Sequence, residues 1–91
     1  MIALDKKKLF IRSVTYHYVG QVKSQKDGFL HLDPVWWVAD SGRLNPALRS
    51  CKFKEYEAFP HSVWLNMDTV VDMTEIDRLP NEPEKKREVR A

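Results

Sequence analysis

The stretch Trp36-Trp37-Val38-Ala39-Asp40-Ser41-Gly42-Arg43 separates two strand-rich halves of a 91-residue chain. It places two adjacent indoles, a glycine turn and an Asp/Arg pair within one short segment. The residues before it have the pattern of a β-hairpin, and the residues after it have the pattern of a β-meander. The sequence therefore predicts a mainly β protein in which this stretch is a chemically unusual insert.

The residues upstream of the insert favour a bent strand and a hairpin. Branched and aromatic side chains dominate residues 9–23, and their alternation predicts one strand. The residues expected on its inward face are Phe10, Val14, Tyr16, Tyr18 and Val22. Gly20, late in this strand, indicates a bulge or a bend of the kind that closes a small barrel. Asp27-Gly28 is a strong hairpin signal, and residues 29–32 are the expected return strand.

The insert and the residues just after it favour short helical turns. Asp33-Pro34 has the chemistry of a helix start, so a single helical turn is expected over residues 34–39. Asn45-Pro46 repeats this chemistry and opens a second short turn. Phe53 and Phe59 are the expected anchors of the irregular strand that follows.

Length and composition predict one small domain with charged ends. Residues 1–8 are expected to be a flexible lead-in, residues 9–77 the β domain, and residues 78–91 a charged, disordered tail. Hydrophobic residues make up 43% of the chain, which is enough for a core. The expected fold is a small five-stranded SH3-like or Sm-like barrel with a short helical insert.

Charge and cysteine content exclude several classes of protein. Between Leu9 and Ile76, seven basic side chains stand against eight acidic ones, so the folded part lacks the positive surface of a general nucleic-acid binder. The single cysteine, Cys51, excludes an internal disulfide and suits a reducing compartment. No apolar run approaches the roughly 20 residues of a membrane span. A cytoplasmic protein is therefore expected, in the host cytoplasm if it is phage-encoded.

Two patterns resemble known groups of proteins. Residues 63–76, taken as strand, Asn-Met-Asp turn and strand, resemble the closing hairpin of Sm-like proteins. The glycine-bearing Sm motif is not recognisable, so Sm-type uridine recognition is not carried over. Tyr-x-Gly at residues 18–20, Trp-x-Ala-Asp-x-Gly-Arg at residues 37–43 and a valine-rich closing strand resemble small uncharacterised phage and bacterial proteins. This resemblance implies a phage-type accessory protein and no particular mechanism.

Asp40, Ser41, Gly42 and Arg43 are the first candidate site. In a ligand loop, Gly42 lets the backbone approach the ligand closely, and the planar guanidinium fork of Arg43 binds a phosphate or carboxylate. Asp40 then holds that fork or accepts from a ribose hydroxyl. A capped turn with Arg43 on the surface accounts for the same residues. The pattern leaves open a site for a small nucleotide-like anion.

The aromatic residues form the second candidate group. Trp36 and Trp37 cannot share one direction, so one indole is expected in the core and the other outside. The outer indole suits a subunit contact, which is favoured, or a stacking platform for a base. Tyr16 and Tyr18 share a strand face and are core, interface or ligand-contact residues. Trp64 is expected in the core or on the exposed face of an edge hairpin.

Residues that carry enzymatic chemistry are sparse. His17, His31 and His61 lack metal-ligand spacing, so neither a metal nor a cofactor is expected. Cys51 has no neighbouring histidine, and no serine lies in a nucleophile elbow. The chain is therefore predicted to be a non-enzymatic module.

The sequence favours a homo-oligomeric binding or assembly module whose partner is a host protein or a small nucleotide. The physical reason is that a small core with an unpaired sheet edge and a surplus indole gains stability by pairing with copies of itself. Two alternatives stay open. One is a binder of single-stranded RNA or DNA in which Tyr16, Tyr18 and Trp37 stack bases, although the charge count does not favour nucleic acid. The other is a virion structural or adaptor protein that makes protein contacts alone.

Overall fold

The structure is a computed structural model that describes residues 3–82. The elements in chain order are β1 (Lys8–Ser13), β2 (His17–Lys26), β3 (Phe29–Asp40), α1 (Leu44–Ser50), β4 (Glu55–Ala58), β5 (Val63–Asn66) and β6 (Val70–Glu75). The strand order is β4-β3-β2-β1-β6, and β5 pairs with the first part of β3. This part of the chain is therefore mainly β, as predicted. Its sheet is open and six-stranded, whereas the sequence predicted a five-stranded barrel.

The single strand predicted over residues 9–23 is wrong, because the chain reverses within it. β1 ends at Ser13, and β2 begins after Tyr16. The Ser13 amide donates to the Tyr16 carbonyl at 3.1 Å, and the Tyr16 amide donates to Ser13 Oγ at 3.2 Å, which closes a four-residue turn. As a result Phe10 and Tyr18 lie on opposite faces of the sheet, whereas unbroken alternation predicts them on the same face.

The hairpin predicted at Asp27-Gly28 is confirmed. Lys26 pairs with Phe29 across a two-residue turn in which Asp27 and Gly28 have φ values of 52° and 81°. Positive φ at both central residues is typical of a type I′ turn, whose twist matches that of the two strands it joins. This turn sets the pairing of β2 with β3, the two strands that carry most of the candidate aromatic residues.

β3 does not end at Asp33-Pro34, and the helical turn predicted over residues 34–39 is wrong. The branched and aromatic residues of this run stay extended because β2 pairs along one side of them and β4 along the other. Gly20 lies opposite Val35, and a Cβ on Gly20 would come within 2.8 Å of the Pro34 carbonyl oxygen. Glycine therefore permits the close approach of the two backbones. The β2–β3 register shifts just after Gly20, where the sequence predicts a bulge or bend.

Each face of the sheet carries its own hydrophobic core. One lies between the sheet, α1 and the segment after β6, and we call it the helix-side core. Its buried residues are Phe10, Val19, Trp36, Val38, Ala47, Cys51, Phe53, Ile76 and Leu79. The opposite face holds the strand-side core, formed by Leu4, Leu9, Ile11, Val22, Leu30, Leu32, Val35 and Leu65. Neighbouring side chains of a strand point to opposite faces, so Val35 and Trp36 belong to different cores. The β2–β3 register shifts by one residue between Leu32 and Val35, which puts Leu30, Leu32 and Val35 on the same face.

Buried residues extend beyond the predicted domain range of 9–77 in both directions. Leu4 belongs to the strand-side core, and Leu79 belongs to the helix-side core with only 2% of its surface exposed. The packed part of the chain is therefore longer than composition indicates. The remainder of the predicted tail, residues 83–91, lies outside the described residues.

Hydrogen bonds hold the segment after β6 against the domain. Arg78 donates to the Ser50 carbonyl at the end of α1, and a second guanidinium nitrogen donates to the Glu82 carbonyl at 3.1 Å. The Leu79 amide donates to Glu82 Oε2 at 3.0 Å. Residues 78–82 therefore form a folded turn that presents Leu79 to the helix-side core.

The short helix α1 covers the turn predicted at Asn45-Pro46, but Asn45 and Pro46 lie inside its first turn instead of at the predicted cap and first helical position. It starts after Arg43, whose backbone is extended, and it ends at Cys51, which has left-handed geometry with a φ of 54°. Cys51 is buried, and this burial raises the pKa of its thiol to about 11. The thiol is therefore protonated at neutral pH and is a poor nucleophile.

Residues 63–76 do not form the closing hairpin that their resemblance to Sm-like proteins implies. β5 pairs with β3 and β6 pairs with β1, and a 3₁₀ turn at Met67–Thr69 carries the chain from one strand to the other. Val71 is 63% exposed at the point where the β1–β6 register shifts. The two strands therefore extend different parts of the sheet.

Candidate ligand-binding groove

Three of the candidate residues lie together in a groove on the strand-side face. Its volume is about 490 Å³, and its lining residues are Tyr16, Tyr18, Trp37, Glu57, Ala58, Phe59 and Pro60. We call this set the aromatic groove. Ligand sites are commonly concave, mostly apolar and of this size, with a few polar groups that orient the ligand. The groove is therefore the candidate site that the structure supports best.

Strand register places the central side chains of the groove in one row. Tyr18 lies opposite Trp37 in the β2–β3 pair, and Trp37 lies opposite Glu57 in the β3–β4 pair. Side chains that lie directly opposite each other in antiparallel strands have Cβ atoms roughly 4.5–5.5 Å apart and share a face. The Phe59 amide donates to the Val35 carbonyl at 3.0 Å, which fixes the chain beside this row.

Contacts between aromatic rings orient the walls of the groove. Tyr16 and Trp37 meet edge to face, with ring centroids 5.3 Å apart and planes at 64°. Tyr18 stacks on Phe59 with centroids 6.1 Å apart and planes at 21°. Tyr16 is half-exposed, and the other three residues are partly buried. The rings therefore support one another and still keep surface open to a ligand.

The three tryptophans occupy three different environments. Trp36 is buried in the helix-side core, while Trp37 lines the groove on the opposite face, so the prediction that these neighbours diverge is confirmed. Trp64 is not a core residue, because 52% of its surface is exposed and its ring stacks on His31 with centroids 4.1 Å apart. The exposed-face alternative for Trp64 is therefore the correct one. Trp37 is therefore the indole that lines the groove.

The loop from Asp40 to Arg43 lies outside the lining of the groove. Asp40 Oδ1 accepts from the Gly42 amide at 2.8 Å, and Ser41 Oγ donates to the Gly42 carbonyl at 3.1 Å. Asp40 also lies 3.9 Å from Lys54 Nζ, and Arg43 is exposed. These contacts form the capped turn that leads into α1. A ligand-binding role for these four residues stays a prediction.

Glu57 gives the groove its electrostatic character. Among the described residues that line the groove, Glu57 alone has a charged side chain, and this side chain is exposed. Within residues 3–82, none of the ion pairs includes Glu57. A carboxylate without a neighbouring cation opposes a phosphate and favours a neutral or cationic ligand.

Glu57 and Pro60 complete the groove, although the sequence pattern does not predict them as site residues. Phe59 is predicted only as the anchor of a strand. The spacing Glu57-x-Phe59 places both side chains on one strand face, and this is the signal that the sequence offers. It does not place either residue beside Trp37, because that contact depends on the pairing of β4 with β3.

Other chemistry is limited in the part of the chain that the structure describes. No group of three His, Cys, Asp or Glu side chains in residues 3–82 is arranged to hold a metal ion. His17 Nδ1 and His31 Nε2 are buried without hydrogen-bond partners there, and the rings pack against Phe10 and Trp64. In the same residues, no helix combines the length and the apolar character needed to cross a membrane.

Comparison with known proteins assigns no family to this chain. No protein-family model matches it, and searches of curated proteins and of solved structures gave no significant match. The resemblances to Sm-like proteins and to small phage and bacterial proteins stay predictions from the sequence. The geometry of the groove is therefore the basis for a proposed function.

Proposed function

We propose that this protein is a non-enzymatic binding module that takes an extended segment of a partner protein in the aromatic groove. The observation that carries the proposal is the open cavity of about 490 Å³ walled by Tyr16, Tyr18 and Trp37. Tyr and Trp suit such contacts because they combine a large apolar body with a polar tip, and both are enriched at interface hot spots. In the phage-type accessory role that the sequence implies, the partner is a host protein.

Single-stranded nucleic acid is the second candidate ligand, because the same three rings offer surfaces for base stacking. Charge argues against it. Glu57 opposes phosphate at the groove, and the basic residues between Leu9 and Ile76 do not outnumber the acidic ones. A small nucleotide-like anion would bind instead at Arg43, away from the groove lining.

Replacing Trp37 with alanine is expected to weaken peptide binding at least about tenfold, because tryptophans at the centre of an interface carry a large share of the binding energy. The probe is a peptide selected from a random library on the full-length protein, and calorimetry measures its affinity. Trp64→Ala is the matched control, since Trp64 lies outside the groove lining. Equal losses in the two variants would contradict the assignment of the site.

Oligothymidine and ATP test the alternatives on the same variants. Nucleic acid is the ligand if oligothymidine binds, if its affinity falls steeply with salt, and if Trp37→Ala weakens that binding. ATP binding that Arg43→Ala abolishes would place the site at the capped turn. Binding of the selected peptide alone supports the proposal.

We also propose that copies of the chain associate through the edges of their sheets. Among residues 3–82, β4, β5 and β6 each pair with one strand and have an outer side that pairs with no other strand. Large apolar side chains are exposed on the edge strands, namely Tyr56, Trp64 and Val71. An unpaired strand edge with exposed apolar groups is stabilised when a second chain covers it.

Trp64→Glu is expected to shift the protein towards smaller species, because it places a charge at the exposed ring position of β5. Sedimentation velocity of the full chain over a range of concentrations measures the change. Tyr56→Glu makes a comparable change on β4 and shows which edge is used. A wild-type chain that sediments as a monomer at every concentration would contradict self-association.

A further inference from the structure

The walls of the aromatic groove provide ring surfaces that attract positive charge. A cation within about 6 Å of the centroid of a Trp or Tyr ring is drawn to the electron-rich face. The Tyr16 and Trp37 planes meet at 64°, so their surfaces form a corner, and Tyr18 stands opposite Trp37 across the β2–β3 pair. Several rings that differ in direction can contact one cationic group from more than one side.

A carboxylate stands next to this corner. Glu57 lies directly opposite Trp37 in the β3–β4 pair and is in none of the ion pairs of the described chain. Two opposite charges in contact attract each other more strongly beside an apolar surface than in bulk water. The rings and the carboxylate therefore favour the same kind of ligand group.

We propose that the aromatic groove recognises a cationic side chain, a lysine or an arginine, of the segment that it binds. The positive group lies against the rings of Tyr16 and Trp37 and pairs with Glu57. Its methylene stem packs on the apolar surface of Tyr18 and Phe59, in the way that long basic side chains cover apolar surface. This inference rests on the proposed function, because it names the side chain that a bound peptide presents.

Three peptides that differ at one position test the inference. They have the form acetyl-Gly-Ala-X-Ala-Gly-amide, where X is lysine, norleucine or glutamate. Norleucine has nearly the shape of lysine without its charge. Shifts of the Trp37 indole signal in ¹⁵N NMR spectra of the full chain report binding. Lysine is expected to bind about fivefold more tightly than norleucine, and glutamate most weakly.

Variants on β4 separate the charge of Glu57 from general surface charge. Glu57→Gln is expected to reduce the preference for lysine over norleucine to about twofold, because only the contacts of the cation with the rings remain. The affinity for the norleucine peptide is expected to stay unchanged. Glu55→Gln makes the same change on the same strand outside the groove lining, so the preference is expected to persist. Both residues are exposed, so neither substitution disturbs the core.

The outcomes distinguish this inference from the proposed function. If the three peptides bind the groove equally, or if Glu57→Gln leaves the preference for lysine intact, recognition of a cation is wrong while peptide binding stands. If none of the three peptides shifts the Trp37 signal while the library-selected peptide does, recognition of a cation is wrong and peptide binding stands. If the selected peptide does not shift it either, both proposals are overturned. A preference for lysine over norleucine that depends on Glu57 and not on Glu55 supports both proposals.

Discussion

Phe10→Ala is expected to lower the free energy of unfolding by about 3–5 kcal/mol, as large truncations of buried aromatic residues do. Phe10 is 1% exposed, and its ring stacks on Phe53 with centroids 5.6 Å apart and planes at 14°. The ring also meets that of His17 at 5.6 Å. Phe10 therefore joins β1 to the segment after α1, and its loss leaves a cavity in the helix-side core. Urea unfolding of the full chain, followed by circular dichroism, measures the change.

Phe29→Ala is the matched control for this variant. Phe29 is 41% exposed beside the β2–β3 turn, so its truncation leaves no enclosed cavity and is expected to cost less than about 1 kcal/mol. If the two variants lower the free energy of unfolding by the same amount, packing in the helix-side core contributes less stability than its burial implies.

Leu79→Ala is expected to lower the free energy of unfolding by about 2–5 kcal/mol, although composition places this residue in a charged tail. Leu79 is 2% exposed within the helix-side core. The turn that presents it is tied to the sheet by an ion pair of 2.9 Å between Lys8 Nζ and Glu82 Oε1. Truncation therefore removes a packed residue and leaves a cavity that the surrounding hydrogen bonds keep from collapsing.

Leu44→Ala is the control for Leu79→Ala, since Leu44 is 40% exposed on α1 and its truncation is expected to cost less than about 1 kcal/mol. Cys51 offers a second measurement, because a buried thiol with a pKa of about 11 reacts with thiol reagents mainly when the domain opens. Labelling is expected to be faster in Leu79→Ala than in Leu44→Ala. Wild-type stability and labelling in Leu79→Ala would show that residues 78–82 do not belong to the cooperative unit.

The sequence predicted which residues belong to the candidate site, but it did not predict where in the fold they come together. Tyr16, Tyr18 and Trp37 stand out because aromatic residues on strand faces carry large contact surfaces. The loop from Asp40 to Arg43 stands out as well, since a capping turn and a ligand loop have the same composition. In the structure, Tyr16, Tyr18 and Trp37 line one groove, whereas the loop lies outside that lining and Asp40 accepts a hydrogen bond from Gly42 within the loop.

The open sheet differs from the predicted five-stranded barrel at two places where the chain direction was not evident from local sequence. The reversal at residues 13–16 contains neither glycine nor proline, and it depends on the Ser13 hydroxyl and on β1 being paired by both β2 and β6. Asp33-Pro34 has the composition of a helix start, yet pairing on both sides keeps the residues after it extended. Local preference is overridden in both places by contacts with other strands.

By itself, the sequence determined the features that a few neighbouring residues decide. These are the β content, the type I′ turn at Asp27-Gly28, the short helix at Asn45-Pro46 and the opposite directions of Trp36 and Trp37. Each follows from backbone preferences or from the alternation of side chains within one element.

Only the tertiary structure decided which strands pair, that Leu79 is buried and that Glu57 stands beside Trp37. The physical reason is that these contacts join parts of the chain that are far apart in sequence. Their free energy depends on register and on packing between elements, and a shift of one residue would send every side chain of a strand to the other face. The groove exists because β2, β3 and β4 meet in one register, which no single segment of the chain encodes.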